Sequence, residues 1–188
     1  KKFKILLEPL KKNTAPAIIS STLISDIKTN QPVLFLPADH HLPQKDKFNK
    51  ILKSNLSKLT NNNIFIFGIK PKYPSSDYGY LLSKKINKKI YKVIRFIEKP
   101  NTKKAKKIIS QKGCWNSGIV LARKDSIINN TKKIQKNLFV NCLEAITKSK
   151  VKKNIIILNK KCFSRIKPIS FDYAILEKAK EINSIQLN

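Results

Sequence analysis

Asp39 lies three residues past the end of the apolar run 33–36. A carboxylate just past the C-terminal end of a strand sits where open α/β sheets meet their ligands. Its oxygens suit Mg²⁺, a hard cation that commonly bridges to substrate phosphates; a turn or cap role is the alternative for such an Asp. Glu98 and Lys99 stand together before Pro100, which bars further strand pairing and leaves an acid and a base at a strand end. Asn116 can both donate and accept, as a pair of sugar hydroxyls requires, and Gly118 two residues on permits close backbone approach. Asn13 and Thr14 precede an apolar helical stripe and could cap it. Asp172 opens a segment, 171–178, that reads as a helix whose dipole it would favour. The adjacent His40 and His41 would point apart, which argues against a two-histidine metal site.

These residues need elements to hold them, and the pattern alternates strand and helix. Residues 4–7 form a short apolar run, and Ala15, Ile19, Leu23 and Ile27 recur at four-residue steps along one helical stripe. Pro16 is tolerated in the first helical turn, where no internal amide bond is lost. The run 33–36 reads as a buried strand, Phe48, Ile51, Leu52, Leu56 and Leu59 as an amphipathic helix, and 64–69 as a further strand. A Pro- and Ser-containing loop over 71–76 leads to strands at 78–82 and 91–97 around a lysine-rich turn. Residues 105–109 give a short helix with Thr102 as its cap, 118–122 a strand, 126–147 a mostly helical stretch, and 155–158 another strand. The expectation is one α/β domain over 1–188 with a mainly parallel, mixed sheet.

Composition narrows the function. The chain has 188 residues, 40 Lys and Arg against 11 Asp and Glu, a net charge of +29, and 41 % hydrophobic residues. No apolar run reaches the roughly 18 residues of a membrane span, so a cytoplasmic protein with no membrane partner is expected. Cys114, Cys142 and Cys162 are odd in number and lack paired spacing, which argues against a disulfide scaffold or structural zinc. The lysines are spread over the whole chain and no interleaved aromatic series offers a stacking platform, so a solvated basic surface is favoured over a specific nucleic-acid groove. A field this positive attracts phosphorylated small molecules, and salt weakens that attraction.

Six segments occur in a fixed order: Glu8-Pro9 running into Asn13-Thr14-Ala15-Pro16-Ala17, Pro37-Ala38-Asp39-His40, Tyr78-Gly79-Tyr80, Glu98-Lys99-Pro100, Trp115-Asn116-Ser117-Gly118 and Ser170-Phe171-Asp172-Tyr173-Ala174. In this order the chain resembles the mannose-1-phosphate guanylyltransferases over residue 3 to about 178. The resemblance implies a Rossmann-like nucleotidyltransferase fold, GTP and mannose 1-phosphate as substrates, GDP-mannose and pyrophosphate as products, and Mg²⁺ as cofactor. It implies a metal-binding role for Asp39, sugar-phosphate contact for Lys99, and acceptance of sugar hydroxyls by Glu98. It also implies substrate contacts for Asn13, Thr14, Tyr78, Gly79, Asn116, Gly118 and Asp172, with Trp115 packing in the core.

The family's glycine-rich phosphate loop is expected ahead of Glu8-Pro9, and a second metal-binding aspartate soon after a strand at 182–187. On that reading the chain is the middle of a longer polypeptide, incomplete at both ends, and lacks turnover alone. Three departures stand out: Lys12 replaces an arginine and loses its planar fork, Lys11 replaces a glycine, and Asp77 replaces the first glycine before Tyr78. A carboxylate at 77 repels anionic substrates unless it turns outward. A related pyrophosphorylase for another hexose or nucleotide, and a non-catalytic nucleic-acid-binding protein, are the competing readings.

Overall fold

The computed structural model describes residues 3–42, 44–87 and 90–187. Two β-sheets order the chain: a three-stranded one, β1 (Ile5–Leu7), β8 (Ile155–Ile157) and β7 (Lys150–Lys152), and a six-stranded one. The latter runs β2 (Pro32–Phe35), β6 (Cys114–Arg123), β3 (Ile64–Ile69), β9 (Ile182–Leu187), β5 (Ile90–Ile97) and β4 (Tyr80–Lys85), with β4 also touching β6.

β3 explains the layering. Its Ile-Phe-Ile-Phe run is buried along its whole length, as for a strand covered on both faces. Alternation sends Ile64 and Ile66 into one core, with Val120, Ala122 and Ile182, and sends Phe65 and Phe67 into another, with Ile119, Leu121 and Ile185. The first core is closed by α1 (Thr14–Thr22), α4 (Lys124–Ile134), α5 (Lys136–Thr147) and α6 (Lys160–Ser164), which supply Ile19, Ile127, Cys142 and Phe163. The second is closed by α2 (Lys45–Lys53) through Phe48 and by Leu59. A third, small core of Tyr80, Ile97, Ala105 and Ile108 fixes α3 (Thr102–Ser110) to β4 and β5.

The α/β class with a mixed sheet is as expected. The predominance of parallel pairs is not. Within the six-stranded sheet β3 and β9 are parallel, while β2–β6, β3–β6, β4–β5, β4–β6 and β5–β9 are antiparallel. The cause is β6, a ten-residue strand that enters between β2 and β3 in the opposite direction, together with the β4–β5 hairpin. Hydrophobic patterning specifies that a strand is buried and carries no direction.

Several boundaries also moved. The helix expected over 126–147 is two helices, broken at Gln135, whose backbone (φ −137°, ψ 58°) is not helical. Asn101 rather than Thr102 caps α3, accepting from the Lys104 N–H at 2.9 Å. Asn159 caps α6 in the same way, from the Cys162 N–H at 3.0 Å. The helix expected over 171–178 is a π-helical turn, Asp172–Leu176, closed by a bond from the Glu177 N–H to the Asp172 carbonyl at 3.0 Å. Such wide turns recur at functional sites. No helix of the described residues is long and apolar enough to cross a membrane.

Candidate functional site

Four of the segments singled out by sequence meet at one place. β6 carries Asn116 beside the chain just ahead of β4, where the Asn116 N–H donates to the Gly79 carbonyl at 2.7 Å. The Asn116 side chain donates from Nδ2 to Asp172 Oδ1, also at 2.7 Å, across 56 residues of sequence. Its Oδ1 accepts from the Gly118 N–H at 3.3 Å. Gly118 has φ 73°, a left-handed conformation that side chains disfavour, and a methyl there would stand 3.4 Å from the Pro37 ring.

Gly79 brings Glu98 into the group. A methyl at Gly79 would lie 2.7 Å from Glu98 Oε2, 3.2 Å from the Phe96 ring and 3.6 Å from Asn116 Cβ. A side chain at 79 would therefore displace the Glu98 carboxylate and press on the Phe96 ring. Glu98 is the first residue past β5, and Lys99 follows at φ 40°, an unusual conformation for a residue with a side chain. Pro100 is buried and Lys99 is exposed, so the chain turns sharply here with the ammonium outward.

Electrostatics follow from this crowding. Burial raises the Glu98 carboxyl from 4.5 to about 7; the negative charges of Asp172 and Glu177 add to the rise, and Lys99 opposes it. Burial likewise raises Asp172, with Glu177 adding and the bonds from its own backbone and from Asn116, and the charge of Lys99, opposing. The site thus holds two carboxyl groups that resist ionisation beside one exposed ammonium.

Thr14 ties the cluster to α1. Its Oγ1 accepts from the Phe171 N–H at 2.9 Å, one residue before Asp172. Asn13, at φ 69°, accepts through its own side chain from the Thr14 N–H at 2.8 Å, so its capping role is realised. A cleft of about 570 Å³ is lined by Glu8, Thr14, Pro37, Gly118 and Asp172 among others. A second, about 460 Å³, is lined by Glu98, Lys104, Glu177 and the edge of β5. Leu176 lines both, and Asn116 bonds to Asp172 and Gly118 of the first.

Asp39 lies apart from this network. It sits in the exposed turn after β2, two residues beyond Pro37, with no side-chain bond to another described residue. Among the described residues no group of three or more His, Cys, Asp or Glu could cage a metal ion. A lone exposed carboxylate is chemically compatible with Mg²⁺, which takes one or two protein carboxylates and completes its shell with water and substrate phosphate. Tyr78 is exposed and packs its ring 4.9 Å from Trp115, which Tyr73 meets at 5.1 Å. Trp115 is thus half-buried in an aromatic group beside Asn116, not in the main core.

Asp77 turns outward. It is exposed, its N–H donates to Ser75 Oγ at 3.1 Å, and that hydroxyl donates to Asp77 Oδ2 at 3.4 Å. Sequence reasoning missed Glu177 and gave Glu8, quoted in the first segment, no role of its own; each lines one of the two clefts. Glu177 has a signal in hindsight: it stands five residues after Asp172, the step that a π turn places alongside.

The nucleotidyl transferase family model matches residues 1–156. The chain is 34 % identical over 186 residues to a mannose-1-phosphate guanylyltransferase of Escherichia coli, covering 94 % of this chain and 40 % of that protein. It is 28 % identical over 189 residues to the alginate biosynthesis protein AlgA of Pseudomonas aeruginosa, covering 98 % of this chain and 39 % of that one. The chain therefore spans about two fifths of the length of these relatives. Among solved structures, a mannose-6-phosphate isomerase from Helicobacter pylori superposes with a TM-score of 0.89 at 26 % identity, covering 100 % of this chain and 73 % of that one. A mannose-1-phosphate geranyltransferase from Thermus thermophilus shares the fold with a TM-score of 0.82 at 21 % identity, over 96 % of this chain and 51 % of that one.

Proposed function

The chain belongs to the nucleotidyl transferase family, and on that premise we propose that it forms the sugar-phosphate side of an enzyme that transfers a guanylyl group from GTP to mannose 1-phosphate. A phosphate oxygen of the sugar attacks the α-phosphorus of GTP, and pyrophosphate leaves with the electrons of the broken bond. Such transfers need alignment and charge neutralisation more than covalent help.

The convergence of Glu98, Asn116 and Asp172 on Gly79 and Gly118 carries this reading, because a carboxylate and a braced amide side by side are groups suited to reading hexose hydroxyls. Glu98 in its ionised form accepts from hydroxyls, and Lys99 offsets the charge of the sugar phosphate. Thr14, across the cleft from Gly118, and the neighbouring Asn13 border the nucleotide side. Tyr78 closes the loop over Trp115. Asp39 would hold Mg²⁺ brought with the nucleotide, which would supply positive charge to offset the repulsion between the phosphates. The single-domain reading of 1–188, and dependence of turnover on segments outside it, belong to the same proposal.

The test is a binding panel read by emission of Trp115, the lone tryptophan. Mannose 1-phosphate should quench or shift it at lower concentration than glucose 1-phosphate, galactose 1-phosphate or inorganic phosphate. A preference for another hexose would move the assignment to a related pyrophosphorylase. No response to any of them, confirmed by calorimetry, would reject the site.

A further inference from the structure

We propose that Asp172 is a positioning residue that sets the orientation of the Asn116 carboxamide, rather than a group that touches the sugar; this rests on the reading of Asn116 as a sugar-binding residue. A carboxamide carries two N–H donors and two acceptor positions, and its two ends differ little in shape. What decides which end faces a ligand is the set of partners that hold it. Asn116 has two. Asp172 Oδ1 takes one N–H at 2.7 Å, and the Gly118 N–H fills one acceptor position of Oδ1 at 3.3 Å. An ionised carboxylate only accepts and a backbone N–H only donates, so both partners demand the same orientation. The shorter bond is the one to a charged group, the stronger kind. One N–H and one acceptor position of Asn116 are then left in fixed directions.

Asp172 is itself held firmly enough to serve. The Phe171 N–H before it is bound to Thr14 on α1, the Ala174 carbonyl after it accepts from Gln135 Nε2 at 3.4 Å at the break between α4 and α5, and the π turn closes on its own carbonyl. The brace therefore transmits the position of the helical layer to the tip of β6. This gives a reason for a π turn at this point: the extra residue within the turn places the Asp172 carbonyl opposite the Glu177 N–H and leaves the Asp172 side chain free to reach Asn116.

The experiment is a double-mutant cycle on the 188-residue chain, with hexose 1-phosphate affinity followed by calorimetry and folding checked by thermal melting. Asp172→Asn keeps the size of the side chain but can donate as well as accept, so it no longer selects one amide orientation. The variant should bind the preferred hexose 1-phosphate about tenfold more weakly, and in an Asn116→Ala background it should cost nothing further. The reciprocal swap, Asn116→Asp with Asp172→Asn, retains both internal hydrogen bonds and should fold, yet lack the donor offered to the sugar and bind no better than Asn116→Ala. Additive losses in the cycle would mean that Asp172 contacts the sugar itself and would overturn the proposal, as would wild-type affinity in either Asp172→Asn or the swap. Should Asp172→Asn not fold, the swap alone decides. If the unaltered chain binds no hexose 1-phosphate at all, the functional reading fails, and the brace with it. Binding by the unaltered chain that Asp172→Asn leaves intact refutes the brace alone.

Discussion

Asn116 on β6 and Asp39 just past β2 belong to neighbouring strands of one sheet, and they are held in opposite ways. Asn116 is fixed through its backbone to Gly79 and through both ends of its side chain to Gly118 and Asp172. Asp39 is exposed in a turn and bonded to no side chain among the described residues. On the proposed function, the difference follows from what each would meet. A sugar is recognised by directional hydrogen bonds, which reward groups set in advance. A phosphate-bound cation brings its own partners and charge, so a single exposed carboxylate is enough for it.

Substitutions can break this contrast or sharpen it. The largest effect is expected at Glu98: Glu98→Ala should reduce hexose 1-phosphate affinity about a hundredfold in calorimetry, since it leaves donors on the ligand unanswered in a crowded site. Asp39→Ala should leave that metal-free affinity within about twofold while removing the Mg²⁺ dependence of GTP binding. A large loss of sugar binding in Asp39→Ala would erase the contrast.

The pH dependence is next in size. The folded-state value of Glu98, about 7, lies above its ordinary 4.5, so the folded chain holds this proton more tightly than the unfolded chain does. The resulting stability is complete below pH 4.5 and is lost as pH rises through 7. Melting temperature should fall over that window and fall less in Glu98→Gln, with Asp172, also raised by burial, contributing in the same sense. Sugar binding should run the other way and strengthen toward pH 8, because only the ionised Glu98 accepts on both oxygens.

Thr14→Val should cost about 1 kcal/mol by stranding the Phe171 N–H, a fall of about 2–4 °C in melting temperature for a chain of this size. Asp77→Gly should change hexose 1-phosphate affinity by less than about twofold, since its carboxylate faces water and engages Ser75. A marked gain would show that this charge does reach the ligand.

Much of this was legible in residue order. Gly118, the Glu98-Lys99-Pro100 triplet and Asn116 stand out in the sequence as candidates for close approach and polar contact, Gly79 only through the resemblance, and the strand at 64–69 is unmistakable from its Ile-Phe alternation. What resisted reading is whatever depends on distant partners. Nothing local in Asp172 says that it will meet Asn116, and nothing in Thr14 says that it will meet Phe171, 157 positions away. Strand direction was unreadable for the same reason, since alternation is unchanged when a strand is reversed. The break at Gln135 escaped because its flanks share one helical periodicity across two helices.

β9 has one more implication, and it concerns time. Although it is the last strand of the described chain, it lies between β3 and β5, pairing Ile64 with Ile182 and Ile90 with Ile185. During synthesis the ribosome must therefore release residue 187 before the sheet can close. Until then nascent chains carry two open apolar edges, one on each side of an empty slot, and this is the interval in which mispairing and aggregation compete with folding.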